Sequence, residues 1–127
     1  MADAHPLFID GDWHATTDTI ANINPSDTTD VIGHYAQAST YHVAQAIAAA
    51  ERALPLWGSS PLETRFQVLM AIGDELIERS AELGELLARE EGKTRGEGVG
   101  EVYRSGQFFH YFAAEVHRQI DDRAESV

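Results

Sequence analysis

The chain contains no cysteine, and this absence limits its chemistry. It excludes disulfide bonds, thiolate metal sites and a cysteine nucleophile anywhere in the 127 residues. Basic residues are also scarce, because nine Lys and Arg stand against 21 Asp and Glu, for a formal net charge of −12. Since nucleic-acid binding needs clustered basic side chains to neutralise phosphates, this balance argues against a nucleic-acid partner.

Long hydrophobic runs are missing as well. No segment approaches the roughly 18 apolar residues of a membrane span, and the N-terminal MADAHP has neither a basic nor an apolar signal region. We therefore expect a cytoplasmic protein with no membrane partner. The hydrophobic share of 43% and the charged share of 24% are ordinary for one globular domain.

The clearest positive pattern is an amphipathic stretch from Ser60 to Lys93. It opens with SPLE, which carries three signals of a helix start. The serine can cap the N-terminus of the helix, the proline suits its first turn, and Glu63 can close a capping box. Apolar residues then recur at helical spacing, and Gly92 is placed to end the stretch as a C′ glycine. This pattern predicts two consecutive helices, over 61–79 and 81–91.

The first third of the sequence predicts β structure. LFIDGDW, from Leu7 to Trp13, places apolar residues on both sides of an Asp-Gly pair and predicts a hairpin. A second antiparallel pair is expected from Ile20–Asn24 and Val31–Ala36. The change to helical spacing after Ser39 marks the end of this region.

Two further helices are predicted, over 40–57 with Ser39 or Thr40 as its cap, and over 96–119 after the capping box TRGE. The predicted class is α+β, mostly helical, with a β region over 7–36, helices over about 40–119 and a surface tail over 120–127. No linker divides the chain, so we expect one domain. Its predicted core centres on eight apolar residues: Ile47, Leu54, Phe66, Leu69, Ile72, Leu76, Phe109 and Val116.

Three familiar site patterns fail on their spacing. Gly92-Lys93-Thr94 lacks the earlier glycine of a P-loop, and the run from Gly96 to Gly100 has Glu101 where a dinucleotide fingerprint needs its third glycine. The latter is better explained as a first helical turn that needs close backbone approach. His110 and His117 share a helix face but lack a carboxylate cluster at ligand spacing, which favours structural histidines. No GxSxG nucleophile elbow occurs.

Along nearly its whole length, the chain resembles the N-terminal part of the aldehyde dehydrogenase superfamily. LFIDGDW resembles the family's opening strand pair, and INPS followed by VIG resembles its NP segment. The helices from Ala46 to Ile77, with Trp57 and Arg65, match its helical pattern. EGK at 91–93 and YFAA at 111–114 match two motifs that follow later in the family's sequences. Each piece is weakly specific, but their order and spacing together indicate the family.

This resemblance implies an oxidoreductase that converts an aldehyde to a carboxylic acid with NAD or NADP, with semialdehydes of small acids among the candidate substrates. In that family a cysteine thiolate attacks the aldehyde and a glutamate helps water to hydrolyse the thioester. Those residues, the glycine-rich cofactor loop and the oligomerisation strand have no counterpart here. The resemblance therefore assigns no catalytic and no cofactor-binding residue to this chain, which we expect to be an inactive fragment of a homodimeric or homotetrameric parent.

Some members of the family hold a structural cation near the NP turn. The resemblance would place it at Asn22, Ile23 and Glu90, the first two through backbone carbonyls. In the parent, the apolar face of Val99 to Ile120 should be covered by sequence that this chain lacks. The alternative to a fragment is a free-standing acidic helical domain that binds a partner protein through that aromatic helix.

Overall fold

The computed structural model describes residues 4–121, and the side chains as far as Arg118. The chain forms two compact units, Met1–Ser59 and Ser60–Val127, which are treated separately below. The predicted tail falls mostly on residues 122–127, which lie outside the described part. The predicted α+β class is confirmed, since two small antiparallel strand pairs precede four helices.

The first unit begins with the predicted hairpin. Strand β1 (Leu7–Ile9) pairs antiparallel with β2 (Asp12–His14), with Phe8 opposite Trp13. Asp10 and Gly11 form the turn with φ of 56° and 86°. Two consecutive positive φ angles are typical of a type I′ turn, which suits the twist of a hairpin and explains the Asp-Gly pair.

The second strand pair also lies where it was predicted. Strand β3 (Thr19–Ile23) runs antiparallel to β4 (Val31–Ala36), and the register shifts between Asn22 and Ile23. The connecting loop is closed at Asn24, whose backbone N–H donates to the Asp30 carbonyl at 3.0 Å. The Asn24 side chain also donates to the Asp30 carboxylate at 3.1 Å. This polar side chain therefore explains the turn after β3.

Helix α1 (Thr40–Gly58) completes the first unit and contacts β1. Ser39 caps it: its Oγ accepts from the His42 N–H, and its own N–H donates to His42 Nδ1. Arg52 donates to the Asp10 carboxylate at 2.7 Å, which ties the hairpin turn to the helix. The sequence predicted Ser39 or Thr40 as the cap, and the structure has Ser39; the histidine that completes the capping box was not predicted.

The second unit contains three helices: α2 (Leu62–Glu78), α3 (Ser80–Glu91) and α4 (Arg95–Asp121). Helix α4 packs against both of the others. Pro61 is the N-cap of α2, one residue later than predicted, and has no side-chain oxygen to cap with. Gly92 ends α3 with a left-handed φ of 73°, as predicted for a C′ glycine.

Thr94 and Glu97 form the predicted capping box of α4. The Thr94 N–H and hydroxyl both donate to Glu97 Oε2, at 3.0 and 2.7 Å. The Glu97 N–H donates back to Thr94 Oγ1 at 3.4 Å. These contacts satisfy backbone donors that the first helical turn would otherwise leave open.

Glycines bring the helices of the second unit into close contact. A Cβ built on Gly98 of α4 would lie 2.2 Å from the Gly84 carbonyl oxygen of α3. At the other crossing, a Cβ on Gly106 would lie 2.8 Å from the carbonyl oxygen of Gly73 in α2. All four glycines are buried. Backbone packs against backbone at both crossings, so no larger residue fits without moving a helix.

The predicted core is partly wrong. Ile47 and Leu54 of α1 are 57% and 66% exposed, and Ile72 of α2 is 38% exposed. Helical spacing had grouped these residues correctly on faces, but other elements do not cover those faces fully. The remaining five predicted core residues are half-buried: Phe66, Leu69, Leu76, Phe109 and Val116.

Candidate functional site

The three residues predicted to hold a cation belong to different units. Asn22 and Ile23 end strand β3 in the first unit, and Glu90 lies in the last turn of α3 in the second. The register shift of the strand pair falls between Asn22 and Ile23. A bulge of this kind disrupts the regular ladder, and carbonyl and carboxylate oxygens suit a hard cation. The cation site stays a prediction.

Side chains alone form no metal centre in the described part of the chain, where no three His, Asp or Glu are grouped to hold an ion. His110 Nε2 lies 2.9 Å from Asp74 Oδ1, and its ring covers Gly73. His117 lies 3.6 Å from Glu63, and its ring packs on Phe66 with centroids 4.5 Å apart. Each histidine therefore joins α4 to α2 through one carboxylate, which agrees with a structural role.

The lysine of the failed P-loop pattern is already paired. Lys93 Nζ lies 2.7 Å from the Glu101 carboxylate and 2.5 Å from that of Glu91. Hydrogen bonds from Lys93 to Glu101 and Glu91 raise the pKa of the lysine above its usual value. A cation flanked by two carboxylates is a poor receptor for phosphate. The ion pairs of Lys93 instead link Glu91 of α3 to Glu101 of α4.

The glycine-rich start of α4 is explained by packing. Of the three glycines in this run, only Gly98 packs closely on a neighbouring helix, whereas a Cβ on Gly96 or Gly100 would meet nothing within 4 Å. The close backbone approach predicted for this segment is thus confirmed at Gly98. Its partner, Gly84 of α3, was missed by the sequence analysis, although a glycine inside an apolar helical pattern was an available signal.

The outward side of α4 carries an exposed aromatic cluster. Phe108, Tyr111 and Phe112 are 58%, 57% and 59% exposed, and Tyr111 meets Phe112 edge to face with centroids 5.3 Å apart. Together with Arg104 and Gln107 they line a shallow depression of about 600 Å³. Within this chain these three aromatic side chains are exposed.

Comparison with known proteins identifies the family. Residues 13–126 match the model described as the aldehyde dehydrogenase family, and the chain belongs to that family. It is 34% identical over 117 residues to an alpha-ketoglutarate semialdehyde dehydrogenase of Haloferax volcanii. It is also 40% identical over 96 residues to an N-succinylglutamate 5-semialdehyde dehydrogenase of Caulobacter sp. (strain K31). These alignments include 91% and 76% of the chain, but only 24% and 20% of the relatives.

Solved structures support the same assignment. A point mutant of betaine aldehyde dehydrogenase from Staphylococcus aureus, in complex with NAD+, matches with a TM-score of 0.82 and 30% identity. An aldehyde dehydrogenase from Brucella melitensis matches with a TM-score of 0.82 and 28% identity. Each match covers 87% of this chain and 23% of the other. The chain thus spans about a quarter of the length of the proteins that it resembles, and its fold is part of theirs.

No described helix has the length and apolar composition of a membrane-spanning segment.

Proposed function

We propose that this chain is the N-terminal portion of an NAD- or NADP-dependent aldehyde dehydrogenase that oxidises a semialdehyde of a small acid to the carboxylic acid. The observation that carries the proposal is the family match over residues 13–126. Two relatives named for semialdehyde substrates support this substrate class. A cytoplasmic location and a homodimeric or homotetrameric parent follow from the family resemblance.

Within such an enzyme, this chain would supply scaffold and no reacting group. Hydride transfer to NAD(P), when that cofactor is bound, requires the nicotinamide to be held against the substrate carbon. The family nucleophile is a cysteine thiolate, and the chain has no cysteine. The backbone contacts at Gly84–Gly98 and Gly73–Gly106 instead hold three helices at short separation. We therefore expect the 127 residues alone to be inactive.

The cation site belongs to this proposal. The family resemblance implies a hard cation at the carbonyls of Asn22 and Ile23 and the carboxylate of Glu90, and such a bound cation would stabilise the chain. Sodium or potassium chloride should raise the melting temperature above its value in choline chloride at the same ionic strength, and Glu90→Gln should abolish the difference. An equal rise in all three salts would contradict this site, without bearing on the proposed reaction.

Activity is tested on the purified 127-residue chain and on any longer reading frame. Formation of NADH or NADPH should be measured over a panel of aldehydes that includes semialdehydes of small dicarboxylic acids. We expect no turnover by the 127 residues above a heat-killed control, because a serine without an activating base cannot replace the thiolate. Turnover by the short chain would overturn the proposal.

A second candidate function is a free-standing interaction domain, favoured by the exposure of Phe108, Tyr111 and Phe112. The nucleotide sequence after codon 127 separates the two candidates. An open frame that continues into the family's Pro-Trp-Asn segment supports the enzyme, and its product should oxidise an aldehyde. A genuine stop codon favours the interaction domain.

A further inference from the structure

The turn between β1 and β2 is a chemically labile point of the backbone. We infer that Asp10 is a site of spontaneous isoaspartate formation, and that its ion pair with Arg52 slows the reaction. Asp10–Gly11 is the single Asp-Gly pair of the 127-residue sequence, which has no Asn-Gly pair. All three residues belong to the first unit, and the inference does not depend on the proposed enzymatic function. It also requires no free face, because the reacting atoms belong to adjacent residues.

The reaction joins two atoms of this turn. The backbone nitrogen of Gly11 attacks the side-chain carbonyl carbon of Asp10 in its neutral acid form, and a five-membered succinimide ring closes. The proton of that nitrogen and the hydroxyl group of the acid leave together as water. A second water molecule then opens the ring at the backbone carbonyl, and the chain continues through the side-chain carbon as isoaspartate. The overall composition is unchanged, so no cofactor, oxidant or reductant takes part.

The backbone conformation of the turn favours ring closure at Asp10. A succinimide ring holds its residue in the conformation of the first central residue of a type II′ turn, where φ is positive. Asp10 already has a φ of 56°, a region that few residues other than glycine adopt. Type I′ and II′ turns share this positive φ, so closure mainly requires the peptide unit between Asp10 and Gly11 to rotate. Glycine permits the rotation because it adopts φ of either sign, and a Cβ at position 11 would meet nothing within 4 Å.

Arg52 holds the Asp10 carboxylate in its resting position. Arg52 Nη2 donates to Asp10 Oδ2 at 2.7 Å, and the two side chains are 63% and 58% exposed. The carboxylate must leave this contact and take up a proton before the Gly11 nitrogen attacks its carbon. Breaking the pair therefore adds to the barrier of the reaction. An exposed ion pair contributes little to stability, and its removal corresponds to a rate increase of about two- to fivefold.

Isomerisation would break the connection that Arg52 makes between the hairpin and α1. Isoaspartate adds one carbon atom to the backbone of the turn and leaves its free carboxylate directly on the Cα atom. The two-residue turn that sets Ile9 opposite Asp12 then has the wrong length. The free carboxylate is also one methylene shorter in its reach toward Arg52. The modified chain therefore loses the contact that ties the hairpin to the helix.

Incubation of the folded 127-residue chain at pH 7, with samples taken over several weeks, tests the inference. Isoaspartate is counted by the methyl groups that an isoaspartyl methyltransferase transfers to the chain. Its position is assigned by a protease that cleaves before aspartate but not before isoaspartate, which leaves the fragment 3–11 uncut at position 10. We expect the count to rise steadily in the unchanged chain. It should remain low with Asp10→Glu, because the longer side chain does not close a five-membered ring.

Variants at position 52 measure the effect of the ion pair. Arg52→Met removes the cation and should raise the rate of isoaspartate formation about two- to fivefold. Arg52→Lys keeps the cation, so its rate should lie closer to that of the unchanged chain. Arg104→Met, an exposed change in the second unit with the same loss of charge, should have no effect. Circular dichroism of each variant should confirm unchanged helix content.

Salt provides a second measurement, on the unchanged chain itself. Raising the ionic strength from about 0.1 M to 1 M screens an exposed ion pair, so it should accelerate the reaction in the unchanged chain but not in Arg52→Met. The inference is overturned by a count no higher than that of Asp10→Glu, by equal rates with and without Arg52, by an equal acceleration in Arg104→Met, or by a salt effect that persists in Arg52→Met. These outcomes do not bear on the proposed enzymatic function, which is tested by aldehyde turnover.

Discussion

The two units of this chain use helices in opposite ways. In the first, α1 buries Ala49 and leaves Ile47 and Leu54 exposed, although their spacing forms an apolar stripe. In the second, α4 contacts both α2 and α3, at crossings where glycine backbones touch. Hydrophobic residues alone therefore do not decide which helix becomes buried. Close packing in the second unit depends on residues that have almost no side chain.

Replacing a glycine at a crossing should produce the largest effect. Gly98→Ala places a methyl group 2.2 Å from the Gly84 carbonyl oxygen, a backbone atom that cannot move alone. Because α3 and α4 must then separate, we expect the free energy of unfolding to decrease by about 3 kcal/mol or more. Urea denaturation followed by circular dichroism measures this change.

Gly100→Ala is the matched control for that substitution, two residues further along the same helix. Its Cβ would meet nothing within 4 Å, so the gain in helix propensity should stabilise the chain by roughly 0.5–1 kcal/mol. If Gly98→Ala lowers the free energy of unfolding and Gly100→Ala raises it, close packing at the Gly84–Gly98 crossing stabilises the chain. Equal small effects would show that the helices are not held by backbone contact.

Truncating one leucine in each unit compares how much a buried and an exposed apolar side chain contribute to stability, with smaller expected effects than the glycine substitution. Leu69 of α2 is half-buried, and Leu69→Ala should cost about 2 kcal/mol, the lower end of the range for buried leucines. Leu54 of α1 is 66% exposed, so Leu54→Ala should cost less than about 0.5 kcal/mol. Both are measured by urea denaturation. A loss below about 0.5 kcal/mol for Leu69→Ala would mean that its stripe is not core.

The smallest effect concerns the capping box of α4. Removing the hydroxyl with Thr94→Ala should lower the free energy of unfolding by about 1 kcal/mol at pH 7. Hydrogen bonds from the Thr94 hydroxyl and N–H lower the pKa of Glu97 below its ordinary value of 4.5. The ionised carboxylate therefore stabilises the folded chain above that pH, and the contribution is lost as the pH falls through the lowered pKa of Glu97.

Melting temperatures of the Thr94→Ala variant and the unchanged chain, measured from pH 7 to pH 3, check this expectation. The difference between them should be largest above about pH 5 and should shrink in acid. Thr64→Ala, an exposed threonine in α2, provides the control and should show no such trend. A difference that stays constant with pH would mean that the capping contacts of Glu97 do not contribute.

Much of the fold was predictable because its signals are local. The Asp-Gly turn, the Ser39 and Thr94 caps and the Gly92 terminus each depend on residues a few positions apart, and the structure confirms them. The core was less predictable, since periodicity shows which residues share a face and not what covers that face. Ile47, Leu54 and Ile72 were wrongly placed for this reason.

The family and the predicted cation site both came from resemblance alone, and the cation site stays a prediction. The residues matching the family's strand pair, NP segment and helices indicated an aldehyde dehydrogenase, and the family comparison confirms this. A cation held by backbone carbonyls leaves no mark in side-chain types, so Asn22 and Ile23 had no signal of their own. The contact between Gly84 and Gly98 was missed because pattern analysis treats glycine as an interruption of a helix.

The positions of the two tryptophans have a spectroscopic consequence. Trp13 lies in β2 with its ring 4.7 Å from that of Phe8, and Trp57 lies near the end of α1, so both belong to the first unit. Selectively excited tryptophan emission therefore comes only from side chains of the first unit, whereas three of the four helices that dominate far-ultraviolet ellipticity belong to the second. Following both signals through one denaturation would show, without any labelling, whether the two units melt as a single cooperative body.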